Sequence, residues 1–316
     1  MTTIEESRKE TMKVLVLGAS GYIGGSVAVR LVEEGFSVTG LIRDETKGAQ
    51  LKELGIEPLI GDLDDADLLK GEAQKADAII CAANADHRES VESILEAVKG
   101  TNKVIIHTSG SSLIGDDARG LKLSEKIYDE YTPMEIHEGK KARYAIDLMV
   151  LDAAKRGVRS AVICPSLVYG TSRGLNKRSI QVPFLVDQAK KNGVVKVVGS
   201  GVNRWSTVHI TDLEELYLLA LQSAPAGAFY FAENGESSYL EIGEAIALRL
   251  GLSGVSSWNA DEAAEKWGQA RAFFTFGSNS RVRSKRAKTQ LNWSPKHDSV
   301  VKWILEDMPI NDEEGK

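Results

Sequence analysis

Gly18, Gly21 and Gly24 recur at intervals of three in "GASGYIGG", at the end of the apolar run "KVLVLGAS". At a turn from strand into helix, this spacing suits a dinucleotide. One glycine permits the tight turn, one lets the backbone approach a pyrophosphate, and one lets the helix pack closely on the strand. The peptide N–H groups at the helix start attract the phosphates. Ser20, Tyr22 and Ile23 lie in the same turn and join the candidate cofactor residues. The next apolar run ends in "LIRDETK". A carboxylate at such a tip binds the ribose diol of NAD, whereas Arg43, with Lys47 one turn on, suits the extra 2′-phosphate of NADP. NADP is therefore expected, with NAD kept open by the adjacent Asp44. Asp62 and Leu63, in "GDLDD", fall where an adenine would lie. Ala82, Ala83 and Asn84, in "CAAN", offer small side chains where a dinucleotide crosses the sheet edge, and Asn84 equally suits a cap on the next segment.

These residues need a scaffold, and the hydrophobic pattern provides one. From Met12 short apolar runs alternate with amphipathic ones, "IGGSVAVRLVEEG" being the first helix and "KVIIHTSG" the fifth strand. "IHEGKKARYAIDLMVLDAAKRG" (Ile136–Gly157) reads as one helix, and "SAVICPSLVYG" after it as a sixth strand. Repeated βα units of this length imply an α/β Rossmann fold, a doubly wound parallel sheet with right-handed crossovers. Past Gly170 the regularity fades into a smaller, mostly helical C-terminal lid. The division expected is 12–170 for the nucleotide-binding domain, with 205–232 returning to it, and 171–204 with 233–312 for the substrate-binding lid.

The chain has 316 residues, 42% hydrophobic and 27% charged, with a net charge of −6. That balance argues against a general nucleic-acid binder. No apolar run is long enough to span a bilayer, and "MTTIEESRKE" lacks a signal-peptide core and reads as a frayed lead-in to a cytoplasmic protein. The two cysteines, Cys81 and Cys164, each follow an apolar run and read as buried thiols; without a Cys/His cluster no metal site is expected.

In their order along the chain, the glycine triplet, "GDL", "CAAN", "HTSGSSLIG", "CPSLVYG" and "WSTVHITDL" resemble the extended short-chain dehydrogenase/reductase superfamily, from about Lys13 to Trp293. The resemblance implies an NAD(P) site on the N-terminal domain and a substrate cleft beneath the lid. It adds Thr108, Arg143, Pro165, Ser166 and Leu167 to the cofactor set, the last three as the segment passing the nicotinamide. It also exposes a break. The superfamily's acid is the tyrosine of a YxxxK pair, its pKa lowered by the lysine, with a serine steadying the substrate oxygen. No tyrosine here has a lysine four residues on. Counting back from Pro165 puts Arg143 at the lysine and Gly139 at the tyrosine. Counting along "HTSGSSLIG" puts Gly110 at the serine, between Ser109 and Ser111. The chain is thus similar to the atypical branch, which keeps the dinucleotide site and varies the catalytic residues.

Four residues remain as catalytic candidates: Ser109 and Ser111 for the substrate oxygen, His137 as an acid near neutral pH, and Arg143 as a cation that cannot give up its proton. Tyr128 and Tyr131 are alternative donors from the preceding loop; Tyr144 suits packing. His209 suits a structural link, and His107 a satisfied core histidine. Three functions fit: an NADP-dependent oxidoreductase acting on a carbonyl of a small organic substrate, a redox-neutral epimerase, isomerase or lyase in the same pocket, or a non-catalytic NADP(H)-binding regulator. Apolar faces on the helices after the fourth and fifth strands are compatible with a homodimer.

Overall fold

The computed structural model describes residues 11–310; the expected N-terminal lead-in lies outside them. In chain order the elements are β1 (Lys13–Leu17), α1 (Tyr22–Glu33), β2 (Ser37–Ile42), α2 (Gly48–Glu53), β3 (Ile56–Ile60), α3 (Ala66–Lys75), β4 (Ala78–Cys81), α4 (Arg88–Ala97), β5 (Val104–Thr108), β6 (Tyr128–Asp129), α5 (Lys141–Asp152) and β7 (Arg159–Pro165). Then come β8 (Leu167–Tyr169), α6 (Gln181–Asn192), β9 (Val195–Val198), β10 (Arg204–His209), α7 (Ile210–Ser223), β11 (Ala228–Ala232), β12 (Glu236–Ser238), α8 (Tyr239–Leu250), β13 (Val255–Trp258), α9 (Ala260–Trp267), β14 (Val282–Arg283), α10 (Lys285–Gln290) and α11 (Val300–Glu306).

Seven strands form one sheet in the order β3-β2-β1-β4-β5-β7-β11, each pair parallel. Val14 to Leu17 are at most 1% exposed, as a strand covered on both faces requires. One face is covered through Val27, Leu31, Leu213 and Tyr217 of α1 and α7, the other through Leu69, Ile94, Ile146 and Val150 of α3, α4 and α5. The strand order reverses between β1 and β4, which opens a crevice at their carboxyl ends, the place where such sheets bind ligands.

Two segments depart from the sequence expectation. "SAVICPSLVYG" divides at Ser166, whose N–H and hydroxyl both donate to the Ala232 carbonyl, at 3.1 and 2.9 Å. β7 stays in the large sheet, while β8 leaves it to pair with β10. Within 205–232, β10 joins β8 and β12, and β11 forms the large sheet's edge. The expected helix from Ile136 begins as a 3₁₀ turn, Glu138–Lys140, before α5. The C-terminal part has its own core, with Tyr239, Ile242, Ile246, Trp267 and Phe276 of α8, α9 and the following turn packed on the β9–β13 pair.

Candidate dinucleotide site and the adjoining cleft

Gly18 ends β1 with φ +87°, and a Cβ there would lie 2.8 Å from the Ala83 Cα. No L side chain fits that backbone against that neighbour. A Cβ on Gly24 would lie 2.4 Å from the Gly18 carbonyl oxygen, so its absence lets the first turn of α1 approach the end of β1. Gly21 is the N-cap of α1 and has no capping side chain. Its nearest neighbour is the Gly18 carbonyl, 3.1 Å from a virtual Cβ. The result is a bare helix start facing a cavity of about 510 Å³ at the switch point. Such a cradle fits a pyrophosphate in all three of its demands.

Nine of the candidate cofactor residues line this cavity: Gly18, Ser20, Gly21, Arg43, Asp62, Leu63, Ala82, Ala83 and Asn84. Leu41, Ile42, Gly61, Asp64 and His87 line it as well, and sequence reasoning passed over them. His87 caps α4, accepting from Ser90 N, and its Nε2 meets Asp64 Oδ1 at 3.0 Å, joining the loops after β3 and β4. At the tip of β2, Arg43 faces the cavity. Asp44 instead accepts from the Thr46 hydroxyl and from the Thr46 N–H, the latter at 3.0 Å, and the hydroxyl, helped by the N–H, holds its carboxyl below the usual range.

The remaining cofactor candidates stand elsewhere. Tyr22 donates its hydroxyl to the Gly170 carbonyl at 2.8 Å; it pins β8's exit to α1 instead of facing the cavity. Ile23 packs against the core. Lys47 is exposed and lies 3.9 Å from Asp44. The Thr108 hydroxyl is bonded to that of Tyr217 at 2.6 Å, inside the sheet's α7 face. Pro165, Ser166 and Leu167 are buried where β7 passes into β8.

Arg143 lies on the first turn of α5, and its Nη1 is 3.5 Å from a virtual Cβ on Gly110. The positions read as the lysine and the serine therefore do face each other. The guanidinium clasps Asp86, in the loop after β4, with Nε donating at 2.8 Å and Nη2 to the second oxygen. The same bond holds the Asp86 carboxyl below its usual range. Arg143 Nη1 also reaches Ser112 Oγ at 3.4 Å. Gly139 is exposed, and a Cβ there would touch only the His137 ring, at 3.4 Å. The space beside Gly139 is otherwise open.

Both serine candidates point away from this opening. Ser111 is buried, its Oγ bonded to Ser280 at 2.8 Å. Ser109 Oγ donates to Asp147 Oδ2 at 2.7 Å, beneath α5. Asp147 follows Arg143 by one helical turn and is fully buried, with its Oδ1 lying 3.6 Å from His107 Nε2. Among the described residues neither ring nitrogen of His107 has a hydrogen-bond partner, contrary to the expectation of a satisfied core histidine. Burial pushes Asp147 up to about 7, against the Ser109 bond and Arg143. Burial, helped by Arg143, pushes His107 down to about 4. Desolvation thus favours the neutral form of each.

His137 accepts from the Gly139 N–H at 3.1 Å and lies 4.6 Å from the Phe274 ring. It lines a second cavity of about 240 Å³, with Tyr128, Lys126, Asp116 and Arg281. Tyr131 is 62% exposed, under Arg286. Tyr144 packs against the α4–α5 core. His209 caps α7 and stacks on His297 at 4.0 Å, a structural setting. Cys81 and Cys164 are buried and free. No described helix is long and apolar enough to cross a membrane.

Comparison with known proteins follows the same architecture. The model of the NAD dependent epimerase/dehydratase family matches residues 14–230. An oxidase of an Acremonium species is 30% identical, over 92% of this chain and 95% of its own. A ketoreductase of Stigmatella aurantiaca, named for 4-hydroxy-2-methyl-3-oxo-4-farnesyl-3,4-dihydroquinoline-1-oxide, is 27% identical over 78% of this chain and 75% of its own. The fold is similar to that of dTDP-glucose 4,6-dehydratase from Bacillus anthracis, solved with NAD, at TM-score 0.73 and 17% identity, covering 94% of this chain and 97% of that one.

Proposed function

The chain belongs to the NAD-dependent epimerase/dehydratase family, and from that premise we propose that it is an NADP-dependent oxidoreductase reducing the carbonyl of a small organic substrate. The observation that carries the reading is the bare glycine cradle beside Arg43. Gly18, Ser20, Gly21 and Asn84 would hold the dinucleotide, with Arg43 on the 2′-phosphate and Arg143 on the ribose or substrate. When bound, the reduced cofactor supplies a hydride. The ketoreductase relative supports a ketone as the acceptor. In this reading, residues 12–170 with 205–232 hold the cofactor, and 171–204 with 233–312 close over the substrate. α4 and α5 pack side by side with Leu148 exposed, which supports a homodimer through that pair.

A second reading has its own observation. The glycines at 110 and 139 leave the opening without the superfamily's serine and tyrosine, which favours a cofactor-binding regulator with no turnover. One experiment separates the two. Purified protein should quench or shift NADPH fluorescence and consume NADPH when offered a panel of small 3-oxo esters and cyclic ketones. Tight binding without consumption supports the regulator; failure to bind overturns both. Arg43→Ala should weaken NADPH about 10- to 100-fold and leave NADH unchanged, since charge-assisted bonds to a phosphate contribute about 1.5–3 kcal/mol. Equal loss for both cofactors would remove the assignment of the 2′-phosphate to Arg43.

A further inference from the structure

We propose that the cavity of about 240 Å³ beside His137 is a binding site for the carboxylate of a small organic acid. On the oxidoreductase reading above, on which the substrate assignment rests, the substrate is then an oxo acid.

Three segments, within 114–116, 124–137 and 279–281, build the walls, and hydrogen bonds fix each to the next. Ile114 to Asp116 continue the 3₁₀ turn after β5, Ser111–Ile114. The His137 N–H donates to the Leu113 carbonyl of that turn at 3.0 Å. The Tyr128 N–H donates to the Arg281 carbonyl at 2.9 Å, where β6 meets β14. Asp116 accepts from the Asn279 N–H at 2.8 Å and from the Asn279 side chain at 3.0 Å, which ties the first segment to the third. The cavity also shares a wall with the opening at Gly139. The His137 ring that lines it lies 3.4 Å from a virtual Cβ on Gly139. The turn that holds His137 carries Ser112, 3.4 Å from Arg143 Nη1.

The groups these walls leave free are donors. His137 Nδ1 accepts from the Gly139 N–H at 3.1 Å, so the ring hydrogen sits on Nε2, which has no partner among the described residues. The Phe274 ring, 4.6 Å away, backs the imidazole. Tyr128 is 7% exposed, and the Glu135 N–H approaches its phenol oxygen, which leaves the phenol hydrogen to be donated. Arg281 directs Nε to Glu236 at 2.9 Å and Nη1 to the Ser124 carbonyl at 2.6 Å; Nη2 has no partner among the described residues. Glu236 is shared with Arg283, so two guanidiniums meet one carboxylate and one positive charge stays unmatched. The Arg281 side chain is only 12% exposed, so water does little to neutralise it. The acids on the wall are already engaged, Asp116 with Asn279 and Glu135 with Lys126.

This donor set selects its ligand. Guanidinium and imidazole N–H groups and a phenol O–H all give to oxygen. A covered guanidinium with an unmatched charge favours an anion, and its planar N–H groups suit a carboxylate. One excess charge suits a monoanion. The volume is below the roughly 300–1,000 Å³ of pockets for drug-sized ligands. It holds on the order of eight waters at about 30 Å³ each. A short-chain acid fits, with Ile114 and Ile136 against its carbons.

The test has two arms on the full-length protein. In the first, butyrate and its neutral isostere butyramide are titrated at pH 7 and followed by ligand-observed NMR. Butyrate should bind at least about 10-fold more tightly, as a charge-assisted bond provides. Arg281→Met should erase that preference. Tyr128→Phe should weaken butyrate about 10-fold, the loss of one bond to a charged group. Lys155→Met, at an exposed lysine elsewhere, should match wild type. Equal binding of the two ligands, binding of neither, or a preference that survives both cavity variants overturns the proposal. If Arg281→Met does not fold, Tyr128→Phe decides. In the second arm, NADPH oxidation is measured with 2-methylacetoacetate and with its ethyl ester. The acid should show a kcat/KM at least about 10-fold higher, carried by KM, and Arg281→Met should level the two. Equal KM, or no oxidation of the acid by protein that binds NADPH, removes the oxo-acid assignment. If wild type neither binds nor oxidises NADPH, the oxidoreductase reading itself falls, and the butyrate arm still decides the site.

Discussion

Asp147→Asn is expected to make the protein more stable at pH 8, by on the order of 4 kcal/mol, and to leave it unchanged near pH 4. The magnitude follows from the rise of the Asp147 carboxyl from 3.8 to about 7, caused by burial, at about 1.4 kcal/mol per pH unit. The direction follows from proton counts. Between pH 4 and 7 the folded state keeps a proton on Asp147 that the unfolded state has released, so stability falls as pH rises through that window. His107 acts oppositely. Its folded value, about 4 against 6.5, means that the unfolded state binds the extra proton, and stability falls as pH drops from 6.5 toward 4. In wild type the two slopes cancel across the shared window. In the asparagine variant only the histidine slope remains, so urea midpoints should climb from pH 4 to 6.5 and then level off. Ser109 can still donate to the amide oxygen, which keeps the 2.7 Å bond and isolates the charge effect. A loss of stability at pH 8 would instead mean that the pair is held as imidazolium and carboxylate across its 3.6 Å gap.

That pair also marks where the sequence stops being readable. Asp147 is the one charge in the apolar run "AIDLMVL", and His107 lies near the end of a strand forty residues earlier. Only the parallel pairing that puts β5 under α5 brings them together with Ser109. A signal existed: Asp147 is four residues from Arg143 and so shares its helix face. Which residues before Arg143 share that face was closed to sequence for another reason. Helix phase depends on where the helix starts, and the 3₁₀ turn before α5 shifts it. Tyr22 shows a third limit. Its place beside the glycines marks it as a cofactor residue, yet its hydroxyl reaches a carbonyl 148 residues away. The glycine turn and Arg43 are legible because their demands are local: a backbone angle, a missing Cβ, a charge at a strand tip. The fold is legible because βα repeats with buried strands leave only a handful of sheet topologies open.

Gly21→Ala and Gly18→Ala should both abolish tight NADPH binding, with losses of about 100-fold or more, but only one should cost the fold. Two or three phosphate contacts of about 1.5–3 kcal/mol each are at stake. At Gly21 the backbone is ordinary, with φ −82°, and the added methyl meets only the Gly18 carbonyl, at 3.1 Å. Alanine is a poor N-cap, at a cost of about 1 kcal/mol, so melting should drop by no more than about 2–4 °C. The methyl would stand at the open helix start, where a pyrophosphate needs the bare N–H groups. At Gly18 the left-handed φ of +87° costs about 1–2 kcal/mol for any L side chain. The methyl would also press on Ala83 Cα at 2.8 Å and on the Ala82 carbonyl at 2.9 Å, both backbone. The wall that must yield is the end of β4, at the centre of the sheet, so a further ~1–3 kcal/mol of overpacking is expected. Melting should fall visibly further than for Gly21→Ala. Calorimetric titration with NADPH beside thermal melts of the two variants checks the contrast. If Gly21→Ala binds NADPH like wild type, the phosphates do not sit at this helix start, and the cradle is only a packing device.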